Sequence, residues 1–352
     1  MGQDVIEPKV IFILGPTASG KTALSVQLAK LMNGEVINAD ALQFYRDFDI
    51  GTAKISQAEM EGVVHHGFDL IGDSREFSVR DFVQFAVPVI DDILSRGKSA
   101  IVVGGSNMYV QALLWTSELD GEATPPLDQP VTWGTLNDIS PDAAASIHCN
   151  DLRRIENAVR KFKASTRIPL FRFPPTLSRV IIIDPLQSGV SEILNQRVDE
   201  MLTAGLKAEA VKALGIFLPG KGVMQGIGYK EWFKGAMMED DAVAIDSIKS
   251  NTIRYHKQQI KWLKSLENRL PFEAIHIGLR DAVLLNRDAT VLSIAKSLIL
   301  PLLLPVPTPH IPSLKITRNF SCSVCGLTTL TERDHANHVR SKKHKAVIKR
   351  LK

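Results

Sequence analysis

The chain has 352 residues, 45% of them hydrophobic and 23% charged. That excludes large-scale disorder and leaves room for about two domains. The net charge of +4 is unevenly placed: residues 315–352 hold ten Lys or Arg against two Asp or Glu, so +8, and the remainder carries 4 − 8 = −4. A basic tail on a mildly acidic body suggests that the tail meets a polyanion, the alternative being a solvated charged tail.

Three cysteines give no disulfide framework and point to a reducing compartment. The first residues, MGQDVIEPK, lack an apolar signal core and an Arg-rich amphipathic presequence. The most apolar segment, VLSIAKSLILPLLLPV, contains a lysine and is broken by Pro301 and Pro305, which makes it a poor membrane span. A cytoplasmic monomer is expected, with the nucleus and mitochondria as further addresses.

In chain order, KVIFIL (Lys9–Leu14) reads as a buried strand that opens into a glycine turn. The turn, GPTASGKT, comprises Gly15, Pro16, Thr17, Ala18, Ser19, Gly20, Lys21 and Thr22 and fits the phosphate-loop pattern. Its backbone amides can turn toward a phosphate, Lys21 adds a cation, Thr22 can hold Mg²⁺, and the following helix KTALSVQLAKLM aims its positive end at the anion. GEVINAD is a second strand, FDLI a short third, SAIVVGG a fourth and RVIIID (Arg179–Asp184) a fifth. Apolar runs separated by helices predict an α/β fold with a phosphate-loop NTPase-like parallel sheet covered on both faces. Asp40, at the end of the second strand, is a candidate general base or Mg²⁺ ligand; the alternative is a helix cap.

Residues 117–141 read as a loop leading into an insertion. SPDAAASIH and NDLRRIENAVRKFK are helical, capped by Ser140 and Asn150. Residues 192–213 are strongly helical with Gly205 as a stop or kink, and 246–266 form a long basic helix. The predicted divisions are 1–117 and 178–295 for the two parts of the core, 118–177 for the insertion, 296–316 for a Pro-rich linker and 317–352 for a separate module.

That module holds Cys322-x2-Cys325-x12-His338-x5-His344. Two thiolates and two imidazoles at this spacing suit a closed tetrahedral Zn²⁺ site, and so short a module has almost no core without its metal.

A phosphate loop by default suggests an NTPase or small-molecule kinase. Such enzymes usually supply a second Mg²⁺-binding Asp from a neighbouring strand, yet SAIVVGG runs into GGSN with no carboxylate. Other blocks resemble the tRNA dimethylallyltransferase family, also called tRNA isopentenyltransferase. They are GEVINADALQFYRDFDIGTAK, VVHHGFDLIGDSREFSVRDFVQFA, VVGGSNMYVQALL, IHCNDLRRIENAV, QRVDEMLTAGLKAEAVKAL, GVMQGIGYKEW and RYHKQQIKWLK. They match in order from about Val10 to Leu266. The resemblance implies transfer of a dimethylallyl group from its diphosphate to the exocyclic amine of the adenine 3′ of a tRNA anticodon. The glycine turn then holds the donor diphosphate, with Mg²⁺ on Thr22, and Asp40 accepts the amine proton. Lys21 and Arg254 stabilise the leaving group, and Ser106 takes the place of the family's Thr. Ala41, Leu42 and Gln43 meet the target base with Asp40, while Arg153, Arg154 and Lys257 hold RNA phosphate. His256 and Gln258 replace the family's Ala and Arg. The 118–142 segment is markedly shorter than in bacterial relatives, and the zinc module resembles the matrin-type finger of eukaryotic members. A small-molecule kinase and a catalytically weakened tRNA-binding homologue remain as alternatives.

Overall fold

The computed structural model describes residues 9–116, 131–163, 170–184, 189–234 and 237–278, together with 320–321 and 328–329. The chain divides into two units, Met1–Val306 and Pro307–Lys352.

The first unit is built on six parallel strands: β1 (Val10–Leu14), β2 (Gly34–Asn38), β3 (His65–His66), β4 (Ser99–Gly104), β5 (Ser178–Asp184) and β8 (Ile275–Gly278), in the order β3-β2-β4-β1-β5-β8. Side chains of a strand alternate between faces, and β1 shows the consequence. Ile11 and Ile13 join Val36, Ile101, Ile181 and Ile183 on one face, under Leu24, Leu28 and Ala29 of α1 (Lys21–Leu31). Val10, Phe12 and Leu14 join Ile37, Val102 and Val180 on the other, under Phe82, Ala86 and Ile90 of α2 (Val79–Ser95) and Val110 and Leu113 of α3 (Asn107–Leu114). Burial on both faces is why these strands read as unbroken apolar runs rather than alternating ones.

The expected third strand, Phe68–Ile71, lies elsewhere. Gly67 (φ 86°) and Asp69 (φ 56°) turn the chain left-handed, so pairing with β2 stops at His66. Ile71 instead bridges Tyr45. The sixth strand, β8, was not anticipated.

The insertion contributes α4 (Trp133–Ile139), α5 (Pro141–Ser146) and α6 (Leu152–Lys163). Residues 133–139 were expected to be loop, but a capping box between Thr132 and Thr135 starts a helix there. Ser140 caps α5 as expected. At α6 the side chain that accepts a helix amide is Asp151, from Arg154, rather than Asn150. Leu136, Ala144, Ile155 and Val159 form a small core of their own.

The helical stretch near 192–213 is two helices, α7 (Val190–Thr203) and α8 (Leu206–Leu214), parted at Gly205. A short antiparallel pair follows, β6 (Phe233–Lys234) with β7 (Met237–Met238). The basic helix α9 begins five residues earlier than expected and spans Asp241–Glu267, capped by Asp240. Its buried stripe is Ala244, Ile248, His256, Gln259, Trp262, Leu263 and Leu266. Among the described residues no helix is long and apolar enough to cross a membrane. In the second unit the described residues are two short antiparallel strands, β9 (Phe320–Ser321) and β10 (Thr328–Thr329). Cys322, Cys325, His338 and His344 lie outside the described residues.

Candidate active site

Parallel strands deliver their following loops to one edge of the sheet, which is where ligands bind in such folds. Here three loops meet at that edge: Gly15–Gly20 after β1, Ala39–Gln43 after β2, and Gly105–Ser106 after β4. They border a cavity of about 610 Å³.

The glycine turn is tightly wound. A Cβ on Gly15 would stand 2.7 Å from Ser19 Oγ and 3.1 Å from Ile183 Cβ, so any side chain there would have to displace Ser19 and press on Ile183. Gly20 is left-handed at φ 77° and leads into α1. Lys21 Nζ folds back over the turn and donates to Pro16 O at 2.6 Å and to Ser19 Oγ at 3.4 Å. Burial and then the nearby Arg197 cation pull its pKa down to about 8, against the pull of Asp40. Thr22 is exposed in the first turn of α1. One hydroxyl at a phosphate loop is a normal Mg²⁺ contribution, because that ion keeps several waters and takes other oxygens from the substrate's phosphates. The residues present therefore fit the ion, although no cluster of three acidic, His or Cys side chains occurs among the described residues.

Asp40 does not cap a helix. Its Oδ1 accepts the Leu42 amide at 3.1 Å, and its own amide donates to Asn38 Oδ1 at 2.9 Å. Asn38 is buried and also donates to Gly67 O, so a strand-end side chain fixes the turn that presents the carboxylate. Burial raises the pKa of Asp40, with the Leu42 amide, Lys21 and Arg197 opposing. Ser106 Oγ accepts the Ala41 amide at 3.0 Å.

Thr17, Asp40, Ala41, Leu42, Ser106 and Arg254 all border the cavity. Gln43 instead donates its side-chain amide to Thr52 O at 3.0 Å, which commits that group to the chain. Arg254 is exposed, and its Nη1 donates to Asn251 Oδ1; Asn251 in turn donates to the buried Glu231. Lys257 is exposed on α9. Arg154 is exposed on α6 beside Asp151; Arg153 belongs to the same helix, and its side chain lies outside the described residues.

Arg197, on α7, was missed by sequence reasoning. It borders the cavity, and burial lowers its pKa while Asp40 opposes that shift. A signal existed: Arg197 interrupts the stripe Leu194, Val198 and Met201, and a cation on an apolar stripe is costly unless it has work to do. The Asp49–Gly51 loop was also underestimated. Its three amides donate to Glu209 on α8 at 2.8–3.0 Å, and Tyr229 OH donates to the same carboxylate. That anchor sets the wall carrying Gly51 and Thr52.

Asp40, Ser106 and Arg197 border one cavity, and Lys21 of the glycine turn lies near enough to Asp40 and Arg197 to feel both charges. Leu42, Val79, Val198, Met201, Leu206 and Ile227 supply an apolar lining. Residues 43–266 match the model of IPP transferase and residues 8–66 that of isopentenyl transferase. The chain belongs to the IPP transferase family. It is 36% identical over 284 residues to the tRNA dimethylallyltransferase of Caldanaerobacter subterraneus subsp. tengcongensis, covering 74% of this chain and 90% of that one. It is 39% identical over 271 residues to the enzyme of the same name from Streptococcus uberis, covering 73% and 87%. A solved structure of a eukaryotic dimethylallyltransferase acting on tRNA superimposes with a TM-score of 0.70 at 27% identity, over 98% of this chain and 97% of that one. Family membership removes the small-molecule kinase as a reading of the glycine turn.

Proposed function

We propose that this IPP transferase family member moves a dimethylallyl group from dimethylallyl diphosphate to the exocyclic amine of the adenine 3′ of a tRNA anticodon. The observation that carries the reading is one cavity that joins Asp40 and Ser106 to Arg197 beside the Lys21 cradle. An adenine amine is a weak nucleophile, because its lone pair is delocalised into the ring. As its nitrogen bonds to the allylic carbon, the carbon–oxygen bond to diphosphate breaks and the N–H proton passes to Asp40. The raised proton affinity of Asp40 suits a general base, and such catalysis is typically worth about 10²–10⁴-fold. Lys21 and Arg197 meet the charge that builds on the departing diphosphate, an effect that acts most strongly in a water-poor site. Arg254 stands at the cavity wall as a further cation. Thr22 would hold Mg²⁺, which neutralises diphosphate charge when bound.

The adenine must leave its stack to reach Asp40, which costs a few kcal/mol and less in a loop than in a duplex. Arg154 and Lys257 are exposed cations, and on this reading they would meet RNA phosphate.

The second unit is read as a zinc finger of the matrin type found in eukaryotic members. The support is the ligand spacing and the β9–β10 pair, whose strands flank Cys322 and Cys325 in the chain.

The test supplies labelled dimethylallyl diphosphate, ATP and unmodified tRNA to the full chain. Label transferred to tRNA is the expected result. Binding of tRNA without transfer of label supports a weakened tRNA-binding homologue instead.

A further inference from the structure

Gln259 lies on the buried stripe of α9, is 6% exposed and takes no part in the chemistry described above. Its Oε1 accepts the Thr17 amide at 2.8 Å, and its Nε2 donates to Gly105 O at 3.1 Å. One side chain therefore bridges the glycine turn after β1 and the turn after β4 that carries Ser106. The fit is tight: a Cβ on Gly105 would stand 2.4 Å from Gln259 Nε2. One helical turn earlier, His256 Nδ1 meets Thr17 O at 3.3 Å, so both backbone polar groups of Thr17 are held by α9. A primary amide of this length accepts from one loop and donates to the other at once. An ionised carboxylate accepts only, and an alkyl group does neither.

We infer that Gln259 is a positioning residue that latches the phosphate loop to the Ser106 turn and so fixes the distance between the departing diphosphate and the incoming amine. The inference rests on the proposed transfer reaction. Gln259 touches neither reactant; it acts through Thr17 and Gly105. Misplacement of reacting groups by about 1 Å costs about 10²-fold in rate, whereas a helix that merely packs would lose stability and leave the rate of the folded fraction unchanged.

The experiment compares full-length wild type, Gln259→Leu and Gln259→Glu, each checked for a cooperative melt at every pH used. Gln259→Leu should lower kcat by about 10–100-fold and leave the KM for tRNA within about twofold. Gln259→Glu is the discriminating variant, because a protonated carboxyl has the same donor and acceptor pattern as the amide. Burial raises a carboxyl pKa, so its activity relative to wild type should recover about tenfold or more between about pH 8.5 and 6. The Gln259→Leu ratio should stay flat over the same range. A Gln259→Leu kcat within twofold of wild type, or a flat Gln259→Glu ratio, overturns the latch. Gly105→Ala breaks the same contact from the other side and should reproduce the kcat loss without adding to Gln259→Leu. Full additivity counts against it. If wild type transfers no label, the functional reading has failed, and the latch is then read from binding of inorganic pyrophosphate by calorimetry. Weakening of about tenfold in Gln259→Leu, with pH-dependent recovery in Gln259→Glu, supports it; equal affinities in all three overturn it.

Discussion

The Ala41 amide donates to Ser106 Oγ at 3.0 Å, so the hydroxyl after β4 is tied to the residue next to Asp40. Ser106 uses a lone pair in this contact, and its hydroxyl also hydrogen-bonds the Tyr255 phenol at the wall of the cavity both residues border. Ser106→Ala should lower kcat by about tenfold and cost about 1 kcal/mol of stability. Ser106→Thr keeps the hydroxyl and should retain most activity. Steady-state kinetics with thermal melts checks both; equal rates for the alanine and threonine variants would remove the hydroxyl from the mechanism.

Asp40→Asn keeps the shape and the bond to the Leu42 amide but cannot take a proton. Turnover should fall by about 10²–10⁴-fold, with tRNA affinity, measured by filter binding, changed by less than about threefold. Wild-type turnover in this variant would end the assignment of Asp40 as base.

The pH profile of kcat/KM reports groups of the free enzyme. Asp40 has a raised pKa, so its acid limb should lie above the ordinary carboxylate range. Lys21 has a pKa lowered to about 8, so the cradle loses its cation as pH rises through about 8 rather than near 10.5. Arg197 lowers both values. Arg197→Gln should therefore move both limbs to higher pH while reducing the maximum. Limbs moving in opposite directions would contradict the electrostatic grouping of these three residues.

Glu35, 3% exposed, accepts from both Arg96 terminal nitrogens at 2.5 and 2.9 Å, from Lys98 at 2.8 Å and meets His66 Nε2 at 2.8 Å. Arg96 first, then Lys98 and His66, depress its pKa far below the 4.5 of a free glutamate. The folded state thus holds the ionised form, and this contribution is present above pH 4.5 and lost as pH falls toward the folded value. Glu35→Gln should cost about 1–2 kcal/mol at neutral pH, because the cations it leaves are partly exposed and can be solvated, and should flatten the acid side of the stability curve. Denaturant melts at pH 7 and near pH 4 measure this; an unchanged acid slope would refute it.

Metal analysis of the full chain should find one zinc per molecule. The double change Cys322→Ser with Cys325→Ser should remove it, and leave transfer to a minimal anticodon stem-loop within about threefold if the finger only adds RNA grip. Zinc retained in the double variant would refute the ligand set.

The sequence exposed much of the sheet because strands buried on both faces announce themselves as apolar runs, as KVIFIL and SAIVVGG do. The glycine turn was legible because its spacing carries a mechanism. What stayed hidden depended on tertiary neighbours. The β3 assignment failed because backbone sign at Gly67 and Asp69, not hydropathy, decides where pairing ends. Arg197, Gln259 and Glu209 read as ordinary helix residues, since what each faces is set by loops far away in the chain. Arg254 and Lys257 were singled out on α9, whereas Gln259, two residues beyond, makes the contacts that join α9 to the glycine turn.

Leu136, Ala144, Ile155 and Val159 pack with one another rather than with the sheet. A block that carries its own interior can be trimmed, extended or swapped as a cassette without disturbing the chemistry beneath it. The length of this limb can therefore change while the sheet and its loops keep a core of their own.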